Sequence, residues 1–378
     1  MIVQRSVEVE VHPEPWAGNP YAWDFPESDG KFRPENHIGI PLVKALVDTL
    51  YTTSGICGGI FSFTLLYLVL KHSTGPLKNY SRMLLLCCSS DIGFWFCDSI
   101  VQVRSKLTDG VFMFTLEGPI KHFSYELQVH AMCWYVCHLT LMHTIIPAQY
   151  YYRYYTVSNP HHMNKTQTFG LYLIALVGAF PMYWITYKAY RYSGLARPGF
   201  NYALLWYDEQ PLPALIIGDV NDFIMKLYFI ASIVIVGGCY VLTLVLALIT
   251  LKKLDTNNKK YSQRTRDMQA QLTKALMFQT ILPVFTSVSP ILCICVPCFL
   301  YVSTGPSASI LLAIVSWVPV FNPLLTIWII IPYRRVVFSC ILRTKVEASA
   351  TSDVSEHNKL ESQSRDNRVA SVNENIIF

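Results

Sequence analysis

Apolar residues along this chain fall into long blocks, separated by short stretches where charged and turn-forming residues collect. Seven such blocks can be drawn, over about 47–70, 81–103, 124–149, 167–188, 223–251, 272–301 and 308–331. Each is close to the roughly 20 residues needed to cross ~30 Å of hydrocarbon as a helix. The pattern predicts an all-α membrane protein built as a seven-transmembrane helix bundle over residues 46–332. Before it, residues 1–45 are polar and rich in Pro and Gly, with seven acids between Glu8 and Glu35 and no apolar core of a cleavable signal. They are expected to form a poorly ordered extracellular segment. After it, residues 333–346 (YRRVVFSCILRTKV) mix basic and apolar positions, as a short helix lying in the membrane interface would. Residues 347–378 are polar and rich in Ser and Thr, the composition of a disordered cytoplasmic tail.

The third block is the least apolar, holding Glu126, His130, His138 and His143. A helix that polar belongs inside the bundle, shielded from lipid. Composition supports the membrane reading: 52% of residues are hydrophobic and 15% charged, against roughly 25% charged in soluble domains. The net charge is +5, but no segment interleaves basic and stacking residues as a nucleic-acid groove does, so no nucleic-acid partner is expected. Orientation follows from Lys and Arg near the block ends. Lys71, Lys78, Arg82, Arg153, Lys165, Lys252, Lys253, Arg264, Arg266, Arg334 and Arg335 gather on one side, while Asp208, Glu209, Asp219 and Asp222 mark the other. The N-terminus is therefore expected outside and the C-terminus inside.

Several polar residues stand where an apolar span has no need of them. In the second block Cys87, Asp91, Asp98 and Gln102 share one helical face. Asp91 lies nine residues past Arg82, ~13 Å of rise and near the membrane midplane. A carboxylate there costs several kcal/mol unless paired, hydrated or protonated. With Asn322 of the Asn322-Pro323 step in the seventh block, Asp91 and Asp98 are candidates for an internal ion or polar switch; the alternative is an acid held by hydroxyls for packing. Glu126 and His130, one turn apart in the third block, could wall a ligand pocket or simply satisfy each other. His138 and His143 sit about 140° apart around a helix, which does not suit one metal ion. No metal and no cofactor are expected.

The third block ends in Tyr150-Tyr151-Tyr152-Arg153-Tyr154-Tyr155. Arg153 is placed to reach a cytosolic partner or the base of a neighbouring helix; by spacing alone the simpler reading is a cation snorkelling to the interface within an aromatic belt. In the sixth block Pro283, Pro290 and Pro297 recur at seven-residue intervals. Each removes a backbone hydrogen bond, so Pro283 and Pro290 could form a hinge or merely impose static curvature. All eleven cysteines lie in the blocks or just beyond the last, and Cys340, beside basic residues, is a palmitoylation candidate.

Lys78-Asn79-Tyr80-Ser81-Arg82 leading into Ser89-Ser90-Asp91, Gly118-Pro119 before the third block, Tyr151-Tyr152-Arg153-Tyr154-Tyr155, and Asn322-Pro323 running into Pro332-Tyr333-Arg334 occur together here. In that combination, over roughly residues 45–345, the chain resembles the nematode seven-transmembrane chemosensory receptors, most closely serpentine receptor class delta (Srd). The resemblance implies a multi-pass plasma-membrane receptor, located in a sensory cilium, that binds a small-molecule cue and signals to a heterotrimeric G protein. It also implies Arg153, flanked by Tyr152 and Tyr154, at the G-protein-facing end, with Tyr152 where rhodopsin-like receptors carry an acid. A cysteine that often follows Gly-Pro in the family is Ile120 here. Two other classes fit the sequence less well. A transporter or channel would be expected to carry inverted repeats with paired broken helices, and none is visible. An intramembrane metal-dependent hydrolase is disfavoured by the separation of His138 and His143. The chain is not expected to be an enzyme.

Overall fold

A bilayer offers backbone N–H and C=O groups no partners but each other, so apolar blocks of this length become helices. The computed structural model describes residues 7–8, 40–73, 77–108, 110–159, 163–191, 195–196, 216–257, 263–302, 304 and 307–339. Its helices are α1 (Ile40–His72), α2 (Lys78–Val101), α3 (Tyr125–Ser158), α4 (Lys165–Ala179), α5 (Pro181–Arg191), α6 (Phe223–Asn257), α7 (Gln263–Pro283), α8 (Ser289–Phe299), α9 (Ser307–Val315) and α10 (Val318–Ile329). They make seven stretches long and apolar enough to cross a membrane: Leu42–His72, Tyr80–Val101, Tyr125–Ser158, Lys165–Tyr190, Phe223–Asp255, Gln269–Phe299 and Ser307–Ile329. All seven expected blocks are present, with ends shifted by a few residues.

Three spans are broken. Span four changes from α4 to α5 at Phe180, where Pro181 opens the second helix, the position at which proline's missing N–H is least costly. Span six carries a π-helical turn, Val284–Val288, between α7 and α8. Pro283 precedes that turn and Pro290 lies in the first turn of α8, so the local backbone ladder is already interrupted on both sides. Span seven restarts after Ser316 and Trp317.

The connections are not purely irregular, which departs from the all-helical expectation. β2 (Val103–Thr108), β3 (Val111–Leu116) and β5 (Ile216–Asp219) form an antiparallel sheet in the order β2-β3-β5. Thr108 opposes Val111 across the turn, where Gly110 takes φ 78°. A window set for spans near 20 residues passes over strands of 4 to 6 residues, but the Asp-Gly pair at 109–110 is a hairpin signal in its own right. Elsewhere β1 (Val7–Glu8) pairs with β4 (Leu195–Ala196).

The larger sheet is tied to the helix ends. The Ser309 hydroxyl donates to the Ser105 carbonyl at 2.7 Å and accepts the Ser105 N–H at 3.2 Å. Phe112 of β3 meets Phe229 of α6, which in turn meets Phe299 of α8. Arg104 pairs with Asp48 of α1. The Gly118-Pro119 step is explained here: a Cβ on Gly118 would lie 2.1 Å from the Ile100 carbonyl oxygen, so only glycine lets this strand exit pass the end of α2.

α3 packs against α2, α4, α5, α6 and α7 and forms the axis of the bundle. α6 packs on α3 and α5 and presents most of its length outward. After Ile329, residues 331–339 form a further short helix, α11. Residues 340–346, and with them Cys340, lie outside the described residues, as does the tail.

Candidate ligand cavity and coupling face

The interior of span three sets the site. Midway along α3, His143 is buried with its Nε2 3.1 Å from the Ser287 hydroxyl and its Nδ1 3.4 Å from the Tyr240 hydroxyl. Ser287 belongs to the π-helical turn, so this histidine joins span three to span five and to the broken point of span six. Beside it lies a cavity of about 350 Å³ between α3, α5, α6 and α8. Its polar lining is His143, Thr140, Ser232, Tyr228 and Tyr240; the remainder is aliphatic, aromatic or Cys295. Ile233, Leu292 and Val296 line it and are also exposed on the outside of the bundle, so the cavity opens sideways between spans five and six. Toward the sheet it gives way to a void of about 70 Å³ walled by Phe112, Phe114 and Tyr190. This is the concave, mostly apolar setting with a few convergent polar groups typical of small-molecule sites.

Glu126 and His130 sit elsewhere. His130 Nδ1 is 2.7 Å from the Tyr183 hydroxyl, and its ring stacks on Tyr187 at 4.9 Å. Tyr187 donates to Glu126 at 3.4 Å. Both residues thus engage α5 and line none of the cavities described here. His138 turns toward Cys97 of α2, away from His143, as a five-residue spacing requires.

At the far end of α3 from the sheet, Arg153 is 1% exposed. The snorkelling reading is therefore overturned: the side chain is enclosed by neighbouring helices rather than stretched to the interface. One Nη donates to the Tyr80 hydroxyl of α2, and the guanidinium lies 5.1 Å from that ring's centre. The other Nη donates to the Gln269 carbonyl at 2.9 Å and to the Thr273 hydroxyl at 3.0 Å, both on α7. Tyr80 is itself held by Thr156 at 2.7 Å. Tyr152 is buried and packs edge-on to Tyr80, while Tyr154 is half-buried and its ring meets that of Tyr151.

The family model described as serpentine type seven-transmembrane G-protein-coupled chemoreceptor Srd matches residues 47–339. The chain belongs to the Srd chemoreceptor family. It is 23% identical to serpentine receptor class delta-19 of Caenorhabditis elegans, over 79% of this chain and 91% of that relative. It is 23% identical to serpentine receptor class delta-18 of the same nematode, over 74% of this chain and 84% of that relative. Squid rhodopsin is found among solved structures at a TM-score of 0.46 and 14% identity, covering 79% of this chain and 86% of that one.

In this Srd receptor the acids of α2 are joined to span seven. Asn322 Nδ2 donates to Asp91 at 3.1 Å, and Ser316 donates to Asp98 at 3.1 Å. Thr326 donates back to the Asn322 carbonyl at 2.8 Å and accepts from Gln279 of α7 at 2.7 Å. The chain of contacts runs from span two through span seven to span six. Cys87 on the same face accepts from Gln149 of α3. Gln102, placed on that face by spacing, instead ends the helix in a left-handed conformation, φ 45°, and turns the chain into β2. Ser287, Tyr240, Gln279, Thr326, Gln269 and Thr273 carry this geometry and were not singled out from sequence. For Ser287, Tyr240, Gln279 and Thr326 the signal is a hydroxyl or amide within a largely apolar run; Gln269 and Thr273 lie in the polar first turns of α7, and Gln269 contributes its backbone carbonyl.

Proposed function

We propose that this Srd receptor binds a small, largely apolar cue in the cavity beside His143 and passes the event to a heterotrimeric G protein at the Arg153 end. In this reading that end faces the cytosol, as its Lys and Arg content favours. The observation that carries the proposal is the pair of hydrogen bonds from Arg153 to Gln269 and Thr273, which holds the end of span six against span three.

The steps follow from the contacts. A cue with a hydrogen-bonding group competes for His143 and loosens its hold on Ser287. Span six is weakest where it is already π-helical, between Pro283 and Pro290, so it swings there. Arg153 then exchanges its α7 partners for groups on the G protein, and the Asp91–Asn322 and Gln279–Thr326 contacts rearrange with span seven. A ligand shifts such an equilibrium only by its differential affinity for the two states. The competition at His143 supplies that difference. Glu126 and His130, packed on α5, fit a supporting wall at the sheet end better than the cue's main contact.

The test is a screen of volatile and secreted small molecules on cells expressing the full chain with a promiscuous G protein. Arg153→Ala is expected to abolish evoked signalling with surface expression retained, and His143→Phe to reduce it at least tenfold. Normal signalling by Arg153→Ala would overturn the coupling role.

A further inference from the structure

A second cavity, of about 400 Å³, lies beyond Tyr240 toward the Arg153 end, between α6 and α7 with α3 as its floor. Leu244, Leu248, Met277 and Ile281 form its walls and are also exposed on the outside of the bundle. A slot of this kind faces hydrocarbon, and its contents come from the membrane. From Thr273 to Ile281 it runs eight residues along α7, or about 12 Å by helical rise.

Two polar side chains at this slot lack what a buried polar group ordinarily has. Arg153 lines it, and the groups holding its guanidinium are two hydroxyls, a backbone carbonyl and an aromatic face, all neutral. Among the described residues its Nε has no hydrogen-bond partner. A buried cation without a counter-charge is costly. Thr243 also lines the slot, is 2% exposed, and its hydroxyl has no partner. By contrast Thr250, Thr273 and Thr280 in the same wall donate to the carbonyl four residues back. Among the described residues, the slot therefore joins apolar walls to a cation with no carboxylate in contact and to a hydroxyl with no hydrogen-bond partner.

We propose that this slot binds a single-chain anionic amphiphile, a long-chain fatty-acid carboxylate drawn from the bilayer. The tail lies between α6 and α7. The carboxylate meets Nε and one Nη of Arg153 as a two-pronged charge-assisted pair, with Thr243 as a further donor. Because Nη2 is the group that holds Gln269 and Thr273, the amphiphile competes with those contacts and so acts on the same latch as the cue, from a separate site.

The experiment measures equilibrium binding of radiolabelled palmitate to the purified full chain in phosphatidylcholine nanodiscs, with no G protein present, so its outcome is independent of coupling. Saturable binding at one site is expected. Hexadecanol, the same tail without the charge, should compete at least tenfold more weakly. Leu248→Trp, which fills the slot from its lipid side, and Thr243→Val should each weaken binding, the former at least tenfold, with the thermal melting midpoint unchanged. Equal competition by the alcohol, undiminished binding in Leu248→Trp, or equal displacement by a two-chain phosphatidic acid would each overturn the assignment.

Discussion

Span three and span five are both long helices, yet they solve opposite problems. Span three is the least apolar of the seven, and 78% of its most apolar stretch is buried; span five is the most apolar, and 11% of its stretch is buried. In water the ranking would be reversed. Here lipid is the apolar solvent, so the helix richest in Leu, Val and Ile gains nothing from leaving it, while the helix bearing Gln128, His143, Gln149 and Arg153 must find protein partners. Sequence polarity thus locates the axis of this bundle and sequence apolarity its perimeter.

The contrast can be broken most sharply by placing a charge on the perimeter. Val241→Arg, at an outward position near the middle of span five, should cost ~3 kcal/mol of insertion free energy. A fall in the membrane-integrated fraction checks it, and full integration would mean that this face is not lipid-facing. Next comes overfilling the axis: Cys133 is fully buried in α3, and Cys133→Leu should destabilise by ~1–3 kcal/mol, read as a lowered melting midpoint. Asn322→Ala strips Asp91 of its donor and should cost ~1–3 kcal/mol. In a double-mutant cycle with Asp91→Asn the two changes should be strongly non-additive. The smallest effect sharpens the comparison from the other side. Leu242→Ala, outward on span five, should move the melting midpoint by no more than ~0.5 kcal/mol equivalent, because lipid refills the space.

What could be read in the sequence follows the same division. The seven spans were legible because hydrocarbon thickness fixes their length, and span three's interior place was legible from Glu126, His130, His138 and His143. The sheet was legible only in its β2–β3 hairpin, through the Asp-Gly pair; β5 is four residues long and joins β3 across about a hundred residues. The burial of Arg153 was hidden for another reason: an arginine after a tyrosine run looks the same whether it reaches for headgroups or for Gln269, and only the approach of α7 decides between them. The site was half legible. The proline spacing marked the segment of span six that carries the π-helical turn, but that turn and the His143–Ser287 bond depend on how two helices meet. Glu126 and His130 drew attention because they are conspicuously polar, whereas the cavity, apart from His143, is lined by residues that hydropathy ranks as ordinary.

The sheet over one end of the bundle has a consequence for how the receptor samples its surroundings. With Phe112 of the sheet tilted against Phe229 and Phe229 edge-on to Phe299, the sheet roofs the cavity, whose opening is lateral. On the proposed reading, a cue that enters by that door is counted at its concentration in oil rather than in air or water. For molecules of equal fit, detection threshold should then fall in proportion to their oil–water partition coefficient, so the membrane itself becomes the first stage of amplification.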